Sequence, residues 1–236
     1  MFKPWHYNEL QQIGVNFESQ VEVEAYDVKQ SSNSPEACKD LLDDLGVADE
    51  HVLLEYGTAT GNLAIEAAKR CKFAYAVDVS KAMLMFAERK AQRQGIRNIS
   101  FHHAGFLSYE HSDEHVDFII TRYAFHHLPD FWKMQALQKM TSYLKPGGHL
   151  HLKDVVFSFE PENAHSEIEK WISEVTTHSG FSQEEFEMHV REEYSTYAWL
   201  LEAMFARAGL KVLTKRYLSP TYAEYLCEKR VSDANH

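Results

Sequence analysis

The sequence predicts an α/β fold: a doubly wound sheet of mostly parallel strands. Three observations predict it. From residue 36 onward, short apolar runs of strand length alternate with helix-patterned segments, which implies a parallel sheet covered on both faces. A loop bounded by glycines, Gly57-Thr58-Ala59-Thr60-Gly61, follows the first run and heads a helix. Asp78 closes the second run, 21 residues beyond Gly57.

The elements follow in order. Residues 1–34 form an arm or cap: they mix acids and aromatics without a clear period, and Ser31-Ser32-Asn33-Ser34-Pro35 is a loop by composition. The main domain spans 35–230. Residues 35–46 read as a helix closing at Gly46, 52–56 as a buried strand and 62–70 as a helix. A second strand covers 73–78, and Ser80 caps a helix through about Gln94. Strands at 99–103 and 116–121 precede a helix over 131–144, stopped by Lys145-Pro146-Gly147-Gly148. A fifth strand covers 150–156. The segments 162–179 and 182–208 read as helices, with Trp171, Ile172 and Val175, then Trp199, Leu200, Met204 and Phe205, on their apolar faces. Strands at 211–218 and 223–229 surround Ser219-Pro220, and 231–236 is a frayed tail.

Composition narrows the function. Hydrophobic residues make up 44% of the 236, enough for a continuous core. No apolar run reaches about 18 residues, so no membrane span is expected; the N-terminus lacks the apolar stretch of a secretory signal. Cys38, Cys71 and Cys227 are isolated and odd in number, which points to a reducing, cytoplasmic setting. A net charge of −11, with only Lys211, Lys215 and Arg216 as a thin basic cluster, argues against nucleic acid and for a small molecule. A monomer or homodimer is expected.

At Gly57 and Gly61 backbone amides face outward, and a helix N-terminus favours a negative group. Asp78 has the spacing of a carboxylate that accepts two ribose hydroxyls at a switch point. A tight turn with a surface Asp capping a helix is the simpler alternative.

Here the chain resembles a known family. Leu54-Glu55-Tyr56-Gly57-Thr58-Ala59-Thr60-Gly61-Asn62 is similar to the first motif of class I S-adenosylmethionine-dependent methyltransferases, and Val77-Asp78-Val79-Ser80, with Met83, to their second. Phe125-His126-His127-Leu128-Pro129-Asp130 and Leu144-Lys145-Pro146-Gly147-Gly148 resemble the fourth-strand and fifth-strand motifs. Glu24-Ala25-Tyr26-Asp27 and His102-His103-Ala104-Gly105-Phe106-Leu107 are similar to a small bacterial subgroup of type 11/25. The resemblance covers about 36–156. It implies a Rossmann-like, seven-stranded sheet whose last strand runs antiparallel, with 162–208 as a helical insertion on the acceptor side. It implies S-adenosyl-L-methionine as cofactor, bound by Glu55 under the loop, by Gly57, Thr58, Ala59 and Gly61 of the loop, and by Asp78 at the ribose. Val79 and Met83 would flank the adenine, Gly105 and Phe106 would run past its edge, and Tyr123 and Ala124 would pass the methionine part. Two departures stand out. Ala59 replaces the middle glycine, costing about 1–2 kcal/mol if that position needs a positive φ. Gly105 stands where many relatives carry an Asp for the adenine amino group.

Methyl transfer asks the protein chiefly to orient an acceptor and exclude water, with a base only if the nucleophile arrives protonated. His126 and His127 either supply that base or order the loop. Asp154 either binds a polar acceptor or satisfies local amides. Tyr26 either covers the sulfonium or is a surface aromatic on a cap. Tyr194 and Tyr197, with Arg191, Glu192 and Glu193, either line the acceptor pocket or form a solvated helix face. Fourteen His residues raise a metal site, but no HxxxH or Cys–His spacing supports one, so none is expected. The competing readings are a Rossmann-type oxidoreductase, disfavoured by Gly57-x-Ala59-x-Gly61, a cofactor-binding protein without activity, and non-methyl chemistry on the same cofactor.

Overall fold

A computed structural model describes residues 3–11, 20–29, 34–178 and 182–231. Most of the loop read at 31–35 and of the tail at 231–236 lies outside the described residues.

Seven strands form one sheet: β1 (Val52–Tyr56), β2 (Phe73–Asp78), β3 (Ile99–His103), β4 (Val116–Arg122), β5 (Leu144–Phe157), β7 (Leu210–Ser219) and β8 (Tyr222–Lys229), in the order β3-β2-β1-β4-β5-β8-β7. A two-residue strand, β6 (Thr196–Tyr197), pairs with the end of β5. All pairings from β3 to β5 are parallel, and β8 runs antiparallel to both of its neighbours.

Period-two alternation builds both sides of the core. Val52, Leu54 and Tyr56 face one cluster with Tyr75, Val77, Ile119, Leu137, Met140, Leu201 and Phe205. Leu53 faces the other, with Ala74, Phe118, Ile120, Cys38, Leu42 and Leu63. The first side is covered by α5 (Asp130–Tyr143) and α8 (Ala198–Arg207), the second by α2 (Pro35–Asp44) and α3 (Asn62–Ala68). α4 (Lys81–Arg93) follows β2, and Ser80 caps it by accepting the Met83 N–H at 3.2 Å. The three cysteines are buried and free.

Three details differ from the sequence reading. β5 begins at Leu144, directly after α5, because residues 145–148 bulge out of the ladder: Leu144 pairs with Val116 and His149 with Phe118. Lys145 fixes this bulge on both Asp117 oxygens at 2.8 Å. The segment 182–208 is two helices, α7 (Gln183–Glu192) and α8, interrupted where Tyr194 bonds the loop after β4. Trp199 is 60% exposed, off the apolar face of α8 that Leu201 and Phe205 bury. The remaining helices are α1 (Gln20–Lys29) and α6 (Ala164–His178). No helix among the described residues is long and apolar enough to cross a membrane.

Gly61 and Gly95 share a left-handed backbone, φ +79° and +70°, but not an environment: a Cβ on Gly61 would lie 2.7 Å from the Ala87 Cβ, and one on Gly95 would meet nothing. Gly95→Ala should therefore cost about 1–2 kcal/mol from backbone strain alone, and Gly61→Ala that plus about 1–3 kcal/mol of overpacking. Denaturant midpoints of the two variants measure the difference; equal losses would show that Gly61 does not set the loop-to-helix distance.

Candidate functional site

The chain runs outward from β1 through β2 to β3, then returns to the other side of β1 for β4 and β5. A crevice opens at such a switch point, above the carboxyl ends of the strands. Here the loop after β1 and the turn after β4 meet closely: a Cβ on Gly57 would stand 2.5 Å from the Ala124 Cβ. Gly57 and Thr58 both donate to the Val77 carbonyl, at 2.9 and 3.1 Å.

Asp78, at the end of β2, organises this edge. One carboxylate oxygen accepts the Ala59 N–H and the other the Ser80 N–H, each at 2.8 Å. Burial raises its pKa, opposed by those amides. The bond to Ala59 holds that residue at φ +48°, so the expected strain is present. Tyr123, after β4, has the second positive φ of a non-glycine among the described residues, +53°, with its N–H on the Lys153 carbonyl at 2.8 Å.

Beneath the loop lies Glu55, buried. It accepts the Thr58 hydroxyl at 2.7 Å and faces Arg122 at 4.0 Å; burial raises its pKa to about 7 against those two groups. Tyr26, Gly57, Ala59, Asp78, Val79, Met83, Gly105, Phe106, Tyr123 and His127 line one pocket. Glu55, Thr58 and Gly61 do not: the first two brace the loop from behind, and Gly61 packs on α4. Phe106 stacks on Tyr56 with ring centroids 4.9 Å apart. His102 is turned to Ser100 at 2.8 Å.

The N-terminal arm closes this pocket. Tyr7, Glu9, Gln11 and Tyr26 line it. Asp27 anchors α1 to α4 through Lys90 at 2.9 Å. Glu9 accepts the Leu107 and Ser108 amides at 2.9 and 2.6 Å, and a Cβ on Gly105 would stand 2.4 Å from the Glu9 carboxyl carbon. The small residue at 105 thus makes room for a carboxylate from residue 9. Burial, then Asp78, pushes the Tyr26 phenol up to about 12. Nothing in the local sequence around Glu9 marks it, because its partners lie about 100 residues away.

Past β4, Phe125–His127 form a short 3₁₀ turn. His126 is buried with Nδ1 against Asp154 and Nε2 3.1 Å from Glu193. Burial opposes its charge, but the two carboxylates prevail and raise its pKa to about 9. Both ring nitrogens face carboxylates and the ring is off the pocket wall, which corrects the reading of His126 as an acceptor base. Asp154 is saturated: besides His126 it accepts the amides of Phe125 at 2.7 Å, His126 at 3.2 Å and Val155 at 2.7 Å. Burial would raise its pKa; His126 and the amides hold it below the usual carboxylate range. Of its two readings the geometry leaves the local one. His127 is exposed and opens onto the pocket, and the protein packed around it, with neighbouring His126, pushes its pKa down.

Of the residues expected at the acceptor, Tyr197 packs against Phe157 and Phe159, each with ring centroids 6.0 Å away, outside the pocket. Tyr194 reaches the site only through Tyr7, at 6.1 Å between centroids. Its backbone matters more, donating to the His126 carbonyl at 2.8 Å and accepting from Lys133. His189 and Glu193, which the sequence reading did not single out as ligands, meet one helical turn apart beside His126; that i, i+4 spacing was the available signal.

Residues 53–148 match the model of a family described as a methyltransferase domain. An uncharacterized methyltransferase of Bacillus thuringiensis is 28% identical over 178 residues, 75% of this chain and 78% of its own. Among solved structures, a SAM-dependent methyltransferase of Aquifex aeolicus superposes with a TM-score of 0.62 at 18% identity, covering 89% of this chain and 98% of its own. Magnesium protoporphyrin IX methyltransferase of Synechocystis, solved with bound SAH, gives 0.60 at 14% identity over 94% and 91%. At these identities the two structures speak for the fold.

Ala59→Gly should relieve the φ +48° strain, a gain of about 1–2 kcal/mol less about 0.4–1 kcal/mol for the freer unfolded chain. A higher urea midpoint is the expected result; a lower one would mean that the loop tolerates Ala59 without strain.

Proposed function

We propose that this chain is a class I S-adenosylmethionine-dependent methyltransferase, as its likeness to the methyltransferase domain and to its relatives supports, and that it methylates a small-molecule acceptor at the Tyr123–His127 end of its pocket. One observation carries the placement of the cofactor. Asp78 lies on the pocket wall with the Ala59 amide on one carboxylate oxygen and the Ser80 amide on the other, and a carboxylate has about four lone-pair sites, which leaves room for a diol. The rest of the wall fits the same ligand: apolar Val79, Met83 and Phe106 for a flat base, and Gly57 without a side chain where the ligand passes the loop.

The cofactor supplies a methyl carbon activated by an adjacent sulfonium. The chain's own groups bind and orient. Asp78 accepts the ribose hydroxyls. Glu9 occupies the space above Gly105 and accepts from the adenine amino group, the role a side chain at 105 would otherwise take. Tyr26, carried by α1, covers the sulfonium with a phenol that stays neutral. Tyr123 is turned by its positive φ onto the pocket wall, where it and His127 contact the acceptor. The arm excludes water from above. The net charge of −11 favours a small molecule over nucleic acid.

Calorimetric titration with S-adenosylmethionine tests the binding part. Asp78→Ala should weaken binding by about 1.5–3 kcal/mol, as for charge-assisted hydrogen bonds; unchanged affinity would remove Asp78 from the ribose. Glu9→Ala should weaken it by about tenfold, and Glu9→Ala with Gly105→Asp should recover most of that. Gly105→Asp alone should be worse than either, because its Cβ meets the Glu9 carboxylate. Incubation with methyl-labelled donor and a metabolite extract tests the reaction: label in a low-molecular-mass product supports it, and label confined to macromolecules or unconverted donor overturns it.

A further inference from the structure

Beside the pocket, four side chains from two separate parts of the chain converge. We infer that His126, His127 and Glu193 form a binding site for one divalent transition-metal ion of the zinc class, with His189 holding the Glu193 carboxylate. One ligand atom from each of His126, His127 and Glu193 lies within 4.8 Å of the others. His126 Nε2 stands 3.1 Å from Glu193 Oε2, and His189 Nδ1 touches that same oxygen. Ligands about 2.0–2.1 Å from a tetrahedral ion are about 3.3 Å apart, so the His126–Glu193 separation is already that of two ligands on one centre.

The carboxylate oxygen is the second observation. Glu193 is nine-tenths buried, and its Oε2 is shielded from solvent and faces the His126 and His189 rings. A buried carboxylate among imidazoles needs positive charge beside it, which a proton on a ring or a metal ion held by the same atoms supplies. The far side of the His126 ring is also arranged as a metal-binding histidine requires. His126 Nδ1 is held by Asp154, which three backbone amides fix in place. A metal ion taking the Nε2 lone pair would displace a proton between Nε2 and the Glu193 oxygen, which stand 3.1 Å apart. His189 Nε2 is held by the Ser195 hydroxyl at 2.9 Å.

The two parts of the site are locked together by backbone. Tyr194 donates its N–H to the His126 carbonyl and gives its own carbonyl to Lys133, while Thr196 bonds Asp130 at 3.0 Å. The ligand set is imidazole and carboxylate, which suits zinc, cobalt or nickel and not the all-oxygen preference of magnesium or calcium. Because His127 is also on the pocket wall, the ion would stand at the end where the acceptor enters. The competing occupant is a proton on His126.

The full chain, stripped with chelator, is titrated with Zn²⁺ and with Co²⁺, and bound metal is measured by elemental analysis after desalting. About one equivalent is expected, with a Co²⁺ visible spectrum of tetrahedral or five-coordinate N/O type. Glu193→Gln and His189→Ala should each weaken affinity by about tenfold or more, while His165→Ala, on exposed α6, should not. If Glu193→Gln loses its folded circular-dichroism spectrum, His127→Ala, at the pocket wall, takes its place with the same expected loss. Substoichiometric metal in the wild-type chain, undiminished affinity in both folded variants, or thiolate-to-cobalt charge transfer placing the ion at a cysteine would each overturn the site and leave a proton on His126.

Discussion

The carboxylate of Asp78 joins three pieces that the chain supplies separately. It ends β2, it starts α4 through Ser80, and it holds the loop after β1 through Ala59. Hydrogen bonds to a charged acceptor are stronger than neutral ones, and this acceptor is largely withdrawn from water. The left-handed turn at Ala59 persists because that bond outweighs a strain of about 1–2 kcal/mol. A loop held this firmly presents its amides in fixed directions, so little ordering is left for the moment of binding.

Around that fixed edge, the side chains divide into those that build and those that line the pocket. Glu55, Thr58, Asp154 and His126 are all within or against the loops, yet each is used up by neighbours. Val79, Met83, Tyr123 and His127 are not, and they make the wall. The distinction is one of direction along alternating strands. Glu55 is register-paired with Ile120, so it points with Leu53 to the α2–α3 side, and Arg122, two residues beyond Ile120, meets it there.

This division explains what was legible in the sequence. The succession of strands and helices, the glycine loop and Asp78 follow from local pattern and from a spacing set by one strand–helix–strand unit. The His126-His127 pair was visible too, but not which ring would open onto the pocket, because that depends on the 3₁₀ turn and on Asp154 from a different strand. Glu9 was invisible for the same reason: its partners at Leu107 and Ser108 are 98 and 99 residues away. The break between α7 and α8 escaped because Glu193 to Ser195 carry no Gly or Pro; the interruption comes from long-range bonds to His126 and Lys133. Trp199 shows the opposite error, since hydrophobicity alone places it in the core and the helix face it occupies leaves it outside.

The arm brings a matter of timing. Glu9 and Asp27 leave the ribosome well before the groups that hold them, Leu107 and Ser108 for one and Lys90, 63 residues on, for the other. Contacts of such sequence separation form late, because the intervening chain must first be ordered. The arm has nothing to dock on until the loop after β3 and α4 are in place. A chain whose arm is open keeps the loop and Asp78 but has neither Glu9 nor Tyr26 on the pocket wall, so under the proposed function its affinity for the cofactor would report on completed folding.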